Sequence, residues 1–299
     1  MSKKIFIKIK EKAYQWLFSV LAFASLIFLI GIIFTLLYEA LPLFARVQPT
    51  RFLFGERWYP TSVPAEFGIL PLIIASILVT FGAMIVCIPI GVGSALFIHE
   101  LASERQRSFL KPIIEILAGI PSIVYGFFGM VIVAPFLQNL LNIPTGLCAF
   151  SASLVLGIMA TPTVASIAED ALSFVPRSFR EASLALGANR WQTLTKVVVP
   201  AAGSGISTAI ILGMGRAVGE TMTVLMVAGG AAMIPKSIFD PVRPMTSTIA
   251  AEMGEAVMGS LHYHALFAIG LILFLITLGV NIIAEIISRR YRLKLGLGR

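Results

Sequence analysis

Hydrophobic and polar positions in this chain fall into long blocks rather than short amphipathic repeats. Six runs stay mainly apolar for roughly 20 residues or more, the length a helix needs to cross a bilayer. They lie at roughly 15–38, 69–98, 112–137, 146–168, 201–228 and 264–288. The pattern predicts an all-α polytopic membrane protein with six transmembrane helices. A bilayer core offers the backbone no water, so one helical bundle is expected rather than two soluble domains. The expected divisions are a basic N-terminus at 1–14, a first transmembrane helix at 15–38, a loop at 39–68, a core of five further helices over 69–288, and a basic tail at 289–299. The first run is longer than the roughly 7–15 apolar residues of a signal peptide and lacks a persuasive cleavage site. It reads as a retained membrane helix.

Composition supports the same class. Only 13% of residues are charged, against about 25% in an ordinary soluble domain. The net charge of +8 does not point to nucleic acid, because the charges collect at the ends of the apolar runs. Lysine and arginine are enriched on the cytoplasmic side of membrane proteins. With the N-terminus inside, 17 of them fall on the cytoplasmic side and 5 outside, and one, Arg216, lies within the fifth run. Both termini are therefore expected in the cytoplasm.

Several motifs carry little chemistry. Cys87 and Cys148 sit in apolar runs with no disulfide or metal spacing. His262 and His264 are two ligands without a third, a poor metal site, so no metal is expected. No phosphate-cradling GxxxxGK[ST] loop occurs, so the chain has no nucleotide site of that kind. Gly215 and Gly219 have the GxxxG spacing that lets two helices approach closely. Breaks such as "AGIPSIVYGFFGM" (118–130) interrupt the helices with proline and glycine.

The segment between the fourth and fifth runs, 169–200, is too long for a structureless connection. Ser178 and Glu181 fit a capping box after Pro176, Gly187 is placed to end that helix in a left-handed conformation, and Asn189 with Gln192 offers a second box. The segment resembles the EAA loop of ABC importer permeases: Glu181, Ala182, Gly187 and Pro200 match at the right spacing, with Ser183, Val197 and Val199 as mild departures. The resemblance implies that the helix before Gly187 docks on a separate ATPase subunit. Ala182 and Ala185 would keep the docking face slim, and Phe179, Leu184 and Leu186 would supply apolar contacts.

"GMGRAVGETM" (213–222) places Arg216 and Glu220 inside an apolar run. Arg216 lies about 20 Å along that run at 1.5 Å per residue, where a charge costs about 2.5–3.5 kcal/mol on insertion scales. The i,i+4 spacing predicts that both side chains share one helix face and partly neutralise each other. Arginine before glutamate is the weaker order, so helix stability alone is a poor reason for the pair. Guanidinium matches the oxygens of a permeating oxyanion, and a carboxylate beside it would accept a hydrogen bond from hydrogen phosphate but repel sulfate. A structural ion pair locking helices together is the other reading.

"GRAVGETMTVLMVAGG" resembles the fifth-span signature of phosphate importer permeases, and 58–80 and 243–281 are similar to the PstC-like half of that family. The resemblance implies the ABC type I importer permease fold in a bacterial inner membrane. It also implies a PstA-like partner permease, a PstB-like ATPase dimer using ATP and Mg, a periplasmic phosphate-binding protein, and no cofactor on this chain. Arg216 and Glu220 are expected in the substrate path with Thr221, and Arg243 and Thr246, with Ser247, are expected to help receive the anion at the outer side. "TSTIAAEMGEA" (246–256) has helical tendency and is a candidate to re-enter the membrane edge. The alternatives are the PstA-like half of the same family, a permease for another tetrahedral oxyanion, an intramembrane enzyme and a purely structural or sensory partner. The enzyme reading lacks an activating His, Lys or Asp in the interior of the runs, His264 standing at the very edge of the sixth.

Overall fold

The computed structural model describes residues 2–294. Helix α1 spans Ser2–Phe44, and the short α2 spans Pro49–Phe54. A two-stranded antiparallel hairpin follows, β1 (Trp58–Tyr59) with β2 (Glu66–Phe67), pairing Trp58 with Phe67. Helix α3 (Leu70–Leu96) runs on as a π-helical turn to Leu101. Then come α4 (Glu104–Ala118), α5 (Ser122–Phe128), a π-helical turn, α6 (Ala134–Leu141) and α7 (Ala149–Ser173). The EAA segment contributes α8 (Arg177–Ala185), α9 (Arg190–Thr193), a π-helical turn and α10 (Val199–Ala201). Helices α11 (Gly203–Val218), α12 (Met222–Val227), α13 (Met245–Glu252) and α14 (Leu261–Lys294) complete the chain.

Among the described residues five helical stretches are long and apolar enough to cross a membrane, and a sixth arises if the segment 190–201 and α11, bent by 67° at their junction, count as one. This agrees with the number of expected spans but moves several boundaries. The basic N-terminus is no separate piece, because α1 is continuous from Ser2. Positions 295–299 of the expected basic tail, with Arg299, lie outside the described residues, as do the side chains of 1–10 and 287–299. The third run, expected at 112–137, begins instead at Ser122. Residues 112–118 belong to α4, an amphipathic helix opened by a Ser103–Gln106 capping box that the apolar run conceals. Gly119–Pro121 separates the two, since proline disfavours the helical region for the residue before it. The fifth run is also divided. Helix α11 covers about 24 Å, less than the hydrocarbon thickness, and after a break at Gly219–Thr221 helix α12 continues the run.

Glycine makes the centre of the bundle narrow. A Cβ on Gly157 of α7 would lie 2.8 Å from both the Ala83 carbonyl oxygen and Val86 Cβ of α3, and one on Gly213 of α11 would lie 2.4 Å from Val164 Cγ2. Small residues at such contacts let backbones approach where lipid offers no hydrophobic gain. The expected GxxxG pair does not act this way within the chain. A Cβ on Gly215 meets nothing closer than Asn281 Oδ1 at 3.9 Å, and one on Gly219 only its own helix.

Three apolar clusters stack along the bundle. One, at the hairpin end, joins Leu43, Phe52, Trp58, Leu72, Met245 and Ile269. The middle one packs α3 and α7 against α12. The third, at the EAA end, joins α7 and α11 to Leu194 and Val198. Substituting Gly157→Ala should destabilise the chain by about 1–3 kcal/mol through overpacking. Gly31→Ala, which meets nothing within 4 Å, should be neutral; thermal unfolding of the purified protein in detergent checks both.

Candidate functional site

Arg216 sits in the last turn of α11, half-buried, and reaches across the bundle to two elements that the sequence holds far apart. Its Nη1 donates to Thr163 Oγ1 at 2.6 Å, and its Nη2 makes a long contact of 3.5 Å to the Ala118 carbonyl. Thr163 lies about 21 Å from the start of α7 and about 15 Å from its end, so the guanidinium is near mid-span. Both partners are available for local reasons. Ala118 ends α4, and Pro121 has no N–H to offer its carbonyl. The Tyr125 hydroxyl beside it takes the neighbouring Leu117 carbonyl at 3.0 Å. Many serines and threonines in these helices bond back to a carbonyl three or four residues earlier, as Thr161 does to Gly157. Thr163 instead accepts from Arg216, leaving its own proton free to donate.

The expected Arg216–Glu220 pair does not form. Helix α11 stops at Val218, so the i,i+4 geometry is lost at Gly219. Glu220 turns the other way, and its Oε1 accepts from the Thr223 N–H, capping α12. Among the described residues no carboxylate pairs with Arg216, so its charge is balanced by dipoles alone. Thr221 is the residue before α12, with its hydroxyl 3.4 Å from the Gly219 carbonyl. Thr246, at the start of α13, donates to the Glu220 carbonyl at 2.7 Å. Glu220 and Thr246 also border a cavity of about 10 Å³ with Ser76, Thr80 and Pro244, room for about one water molecule.

Arg243 is engaged elsewhere. Its Nη1 donates to Glu252 Oε1 at 2.7 Å and its Nε to the Gly230 carbonyl at 2.7 Å. Glu252 also accepts from Trp58 Nε1 at 3.0 Å and pairs with His262 at 2.8 Å. Its carboxylate thus ties the hairpin, the loop after α12, α13 and α14 together. Ser247 is buried and bonds back to the Pro244 carbonyl. The helical tendency of 246–256 is realised in α13 only as far as Glu252.

In the EAA segment the second capping box is present, with the Gln192 N–H donating to Asn189 Oδ1 at 2.8 Å, and Gly187 has φ +86°. The first box is absent. Pro176 is the N-cap, so α8 starts two residues earlier than the Ser178 box requires. Phe179, Leu184 and Leu186 are exposed, and Leu186 is 90% so. An open groove of about 610 Å³ is lined by Phe179, Ala182, Leu186, Gly187 and Lys196. Ser183, in place of the third alanine, is buried and bonds Thr193 Oγ1 at 2.9 Å, joining α8 to α9. Glu181 is exposed beside Arg177 and Arg180.

One cluster was missed in the sequence. Glu169, assigned there to the loop, is buried inside α7 and receives Arg107 and, at 2.6 Å, Lys111 from α4, with His99 at 3.4 Å. Arg180 of α8 bonds Glu100 and His99. Glu169 lies about 60 residues from Arg107 and Lys111, and Arg180 about 80 from its partners, and the capping box at Ser103 was the local signal that Arg107 and Lys111 belong to a helix. Hydrogen bonds to Glu169 and Asp170 raise the Lys111 ammonium above the usual lysine range against the opposing effect of burial.

Residues 87–293 match the family model described as "Binding-protein-dependent transport system inner membrane component". The chain is 40% identical over 245 residues to the "Probable ABC transporter permease protein YqgH" of Bacillus subtilis, covering 82% of this chain and 79% of that protein. It is 37% identical over 264 residues to the "Phosphate transport system permease protein PstC" of Pasteurella multocida, covering 82% and 81%. Its fold resembles a chain of a bacterial alginate ABC transporter solved with an alginate pentasaccharide-bound periplasmic protein, with a TM-score of 0.65 at 14% identity over 94% of this chain and 96% of that one. Glu252→Gln should loosen the hairpin end by about 1–3 kcal/mol, seen as a lower melting temperature and faster proteolysis between residues 55 and 69.

Proposed function

The chain belongs to the binding-protein-dependent transport system inner membrane component family, and within it we propose that it is the permease subunit of an ATP-driven importer of inorganic phosphate. The observation that carries the reading is Arg216, a guanidinium near mid-span with no carboxylate partner among the described residues. It keeps donors free for an oxyanion. Thr163 can add its hydroxyl proton, and the Ala118 carbonyl offers an acceptor for a P–OH group. Glu220 was expected to read that proton. Its capping of Thr223 leaves one carboxylate oxygen for the task, so Ala118 is the better-placed acceptor. The names of the phosphate permease relatives support phosphate over other tetrahedral oxyanions.

The chain would form half of the path in an inner membrane, beside a PstA-like permease. Exposed apolar side chains on α5 and the turn after it, including Phe127, Phe128, Val131 and Ile132, suit contact with lipid or a second permease. The lysine and arginine distribution supports cytoplasmic termini and puts the EAA end inside, where α8 would dock on a PstB-like ATPase dimer using ATP and Mg. The hairpin end would then meet a periplasmic phosphate-binding protein. Arg243 belongs to this outer side through its bond to Glu252 rather than through an open donor set.

Labelled-phosphate uptake in cells lacking their own importer tests the reading, with the neighbouring permease, ATPase and binding protein co-expressed. Arg216→Gln should lower uptake by at least about tenfold, the loss of one charge-assisted hydrogen bond of about 1.5–3 kcal/mol, while the complex still assembles. Thr163→Val should lower it by severalfold and Thr163→Ser much less. Normal uptake by Arg216→Gln would remove the arginine from the path. Leu186→Asp should release the ATPase subunit from washed membranes without preventing insertion of the chain, because it places a charge on the most exposed apolar side chain of the groove.

A further inference from the structure

The ionic cluster at the EAA end has a continuity that its pairs do not show singly. Arg180 on α8 bonds Glu100 and His99 in the π-helical turn after α3. His99 meets Glu169 of α7, and Glu169 holds Arg107 and Lys111 of α4. From Arg107 the helix α4 extends about 16 Å to Ala118, whose carbonyl meets Arg216. One continuous helix, with Pro112 inside it, therefore has one end in the cluster and the other at the mid-span guanidinium.

Glu169 is the junction, and its environment is a poor fit to simple bracing. Its side chain is 3% exposed, whereas Arg107 and Lys111 are 39% and 37% exposed. Exposed cations contribute little to stability, and a buried ion pair is commonly no better for stability than well-packed apolar residues. A buried carboxylate is thus an expensive way to pin α4 to α7, but it is an effective way to make the position of α4 depend on charge. The cluster also borders an open cleft of about 480 Å³ between Arg107, His99, Glu100, Arg177 and Arg180, which leaves α8 room to shift without repacking an apolar core.

We propose that Glu169 is a positioning residue that transmits movement of α8 through α4 to Arg216, so that displacement of the docking helix resets the guanidinium. The inference rests on the proposed function, since it takes α8 as the ATPase-docking helix and Arg216 as a substrate contact. When α8 moves, Arg180 draws on Glu100 and His99, and the share of Glu169 available to Arg107 and Lys111 changes. An amide at 169 holds neither cation firmly, so α4 no longer follows.

The test uses the whole complex, with both permeases, the ATPase and the binding protein, in proteoliposomes. Phosphate accumulated and ATP hydrolysed are read in the same vesicles. Glu169→Gln should lower phosphate moved per ATP by at least about fivefold while ATP hydrolysis stays within about twofold of the unaltered complex, the lower end of ordinary coupling energies. Glu100→Arg and Arg180→Glu should each lower the ratio, and the double exchange should restore it. An unchanged ratio in Glu169→Gln would overturn the proposal, whether both activities stay normal or fall together as a structural defect requires. If Glu169→Gln fails to assemble, the same ratio in Glu100→Gln decides. An unaltered complex that moves no phosphate would instead strike at the proposed function.

Discussion

A positive charge near the middle of a membrane span is the constraint around which this structure is arranged. The guanidinium of Arg216 cannot be left bare in hydrocarbon, and among the described residues no carboxylate neutralises it. It is held by a hydroxyl and a carbonyl, Thr163 and Ala118. The Ala118 carbonyl is available because α4 ends before Pro121, and Thr163 Oγ1 projects from the continuous α7. Helix α11 ends two residues after Arg216, so Glu220 turns away. Broken helices are tolerated in membranes where they face protein or a path rather than lipid, and these breaks gather around one side chain.

The two ends of the bundle are closed by similar means. At the hairpin end Glu252 gathers Arg243, Trp58 and His262; at the EAA end Glu169 gathers Arg107, Lys111 and His99. In each case one carboxylate with several donors ties elements distant in sequence. Between them the bundle relies on apolar packing of small residues, with Gly157 and Gly213 bringing backbones close. Polar contacts thus define the two ends and the site, and shape complementarity defines the wall between them.

The spans, the EAA turn at Gly187 and the Asn189–Gln192 box were legible in the sequence because each is local. Apolar length specifies a span, and a left-handed residue or a capping pair specifies a turn within a few positions. Arg216 was legible as a candidate for the same reason, as an expensive residue in an apolar run. The split of the third run was harder to see. The apolar stretch continues across Gly119–Pro121, so the proline and glycine there read as an interruption within one span, and the capping box at Ser103 is what marks a separate helix. The Ser178 box failed because Pro176 already supplies the helix start.

By itself, then, the sequence determined a six-run membrane bundle, a structured segment at 169–200 and a charged arginine near mid-span, all through composition and short-range spacing. Tertiary structure alone decided which groups answer each charge. Glu220 lies four residues from Arg216 yet caps a different helix, while Ala118, 98 positions away, meets it. Likewise Trp58 finds Glu252 across 194 positions. The reason is physical: a helix break changes the direction of every side chain after it, and pairing across the bundle depends on how whole helices cross, which no local pattern encodes.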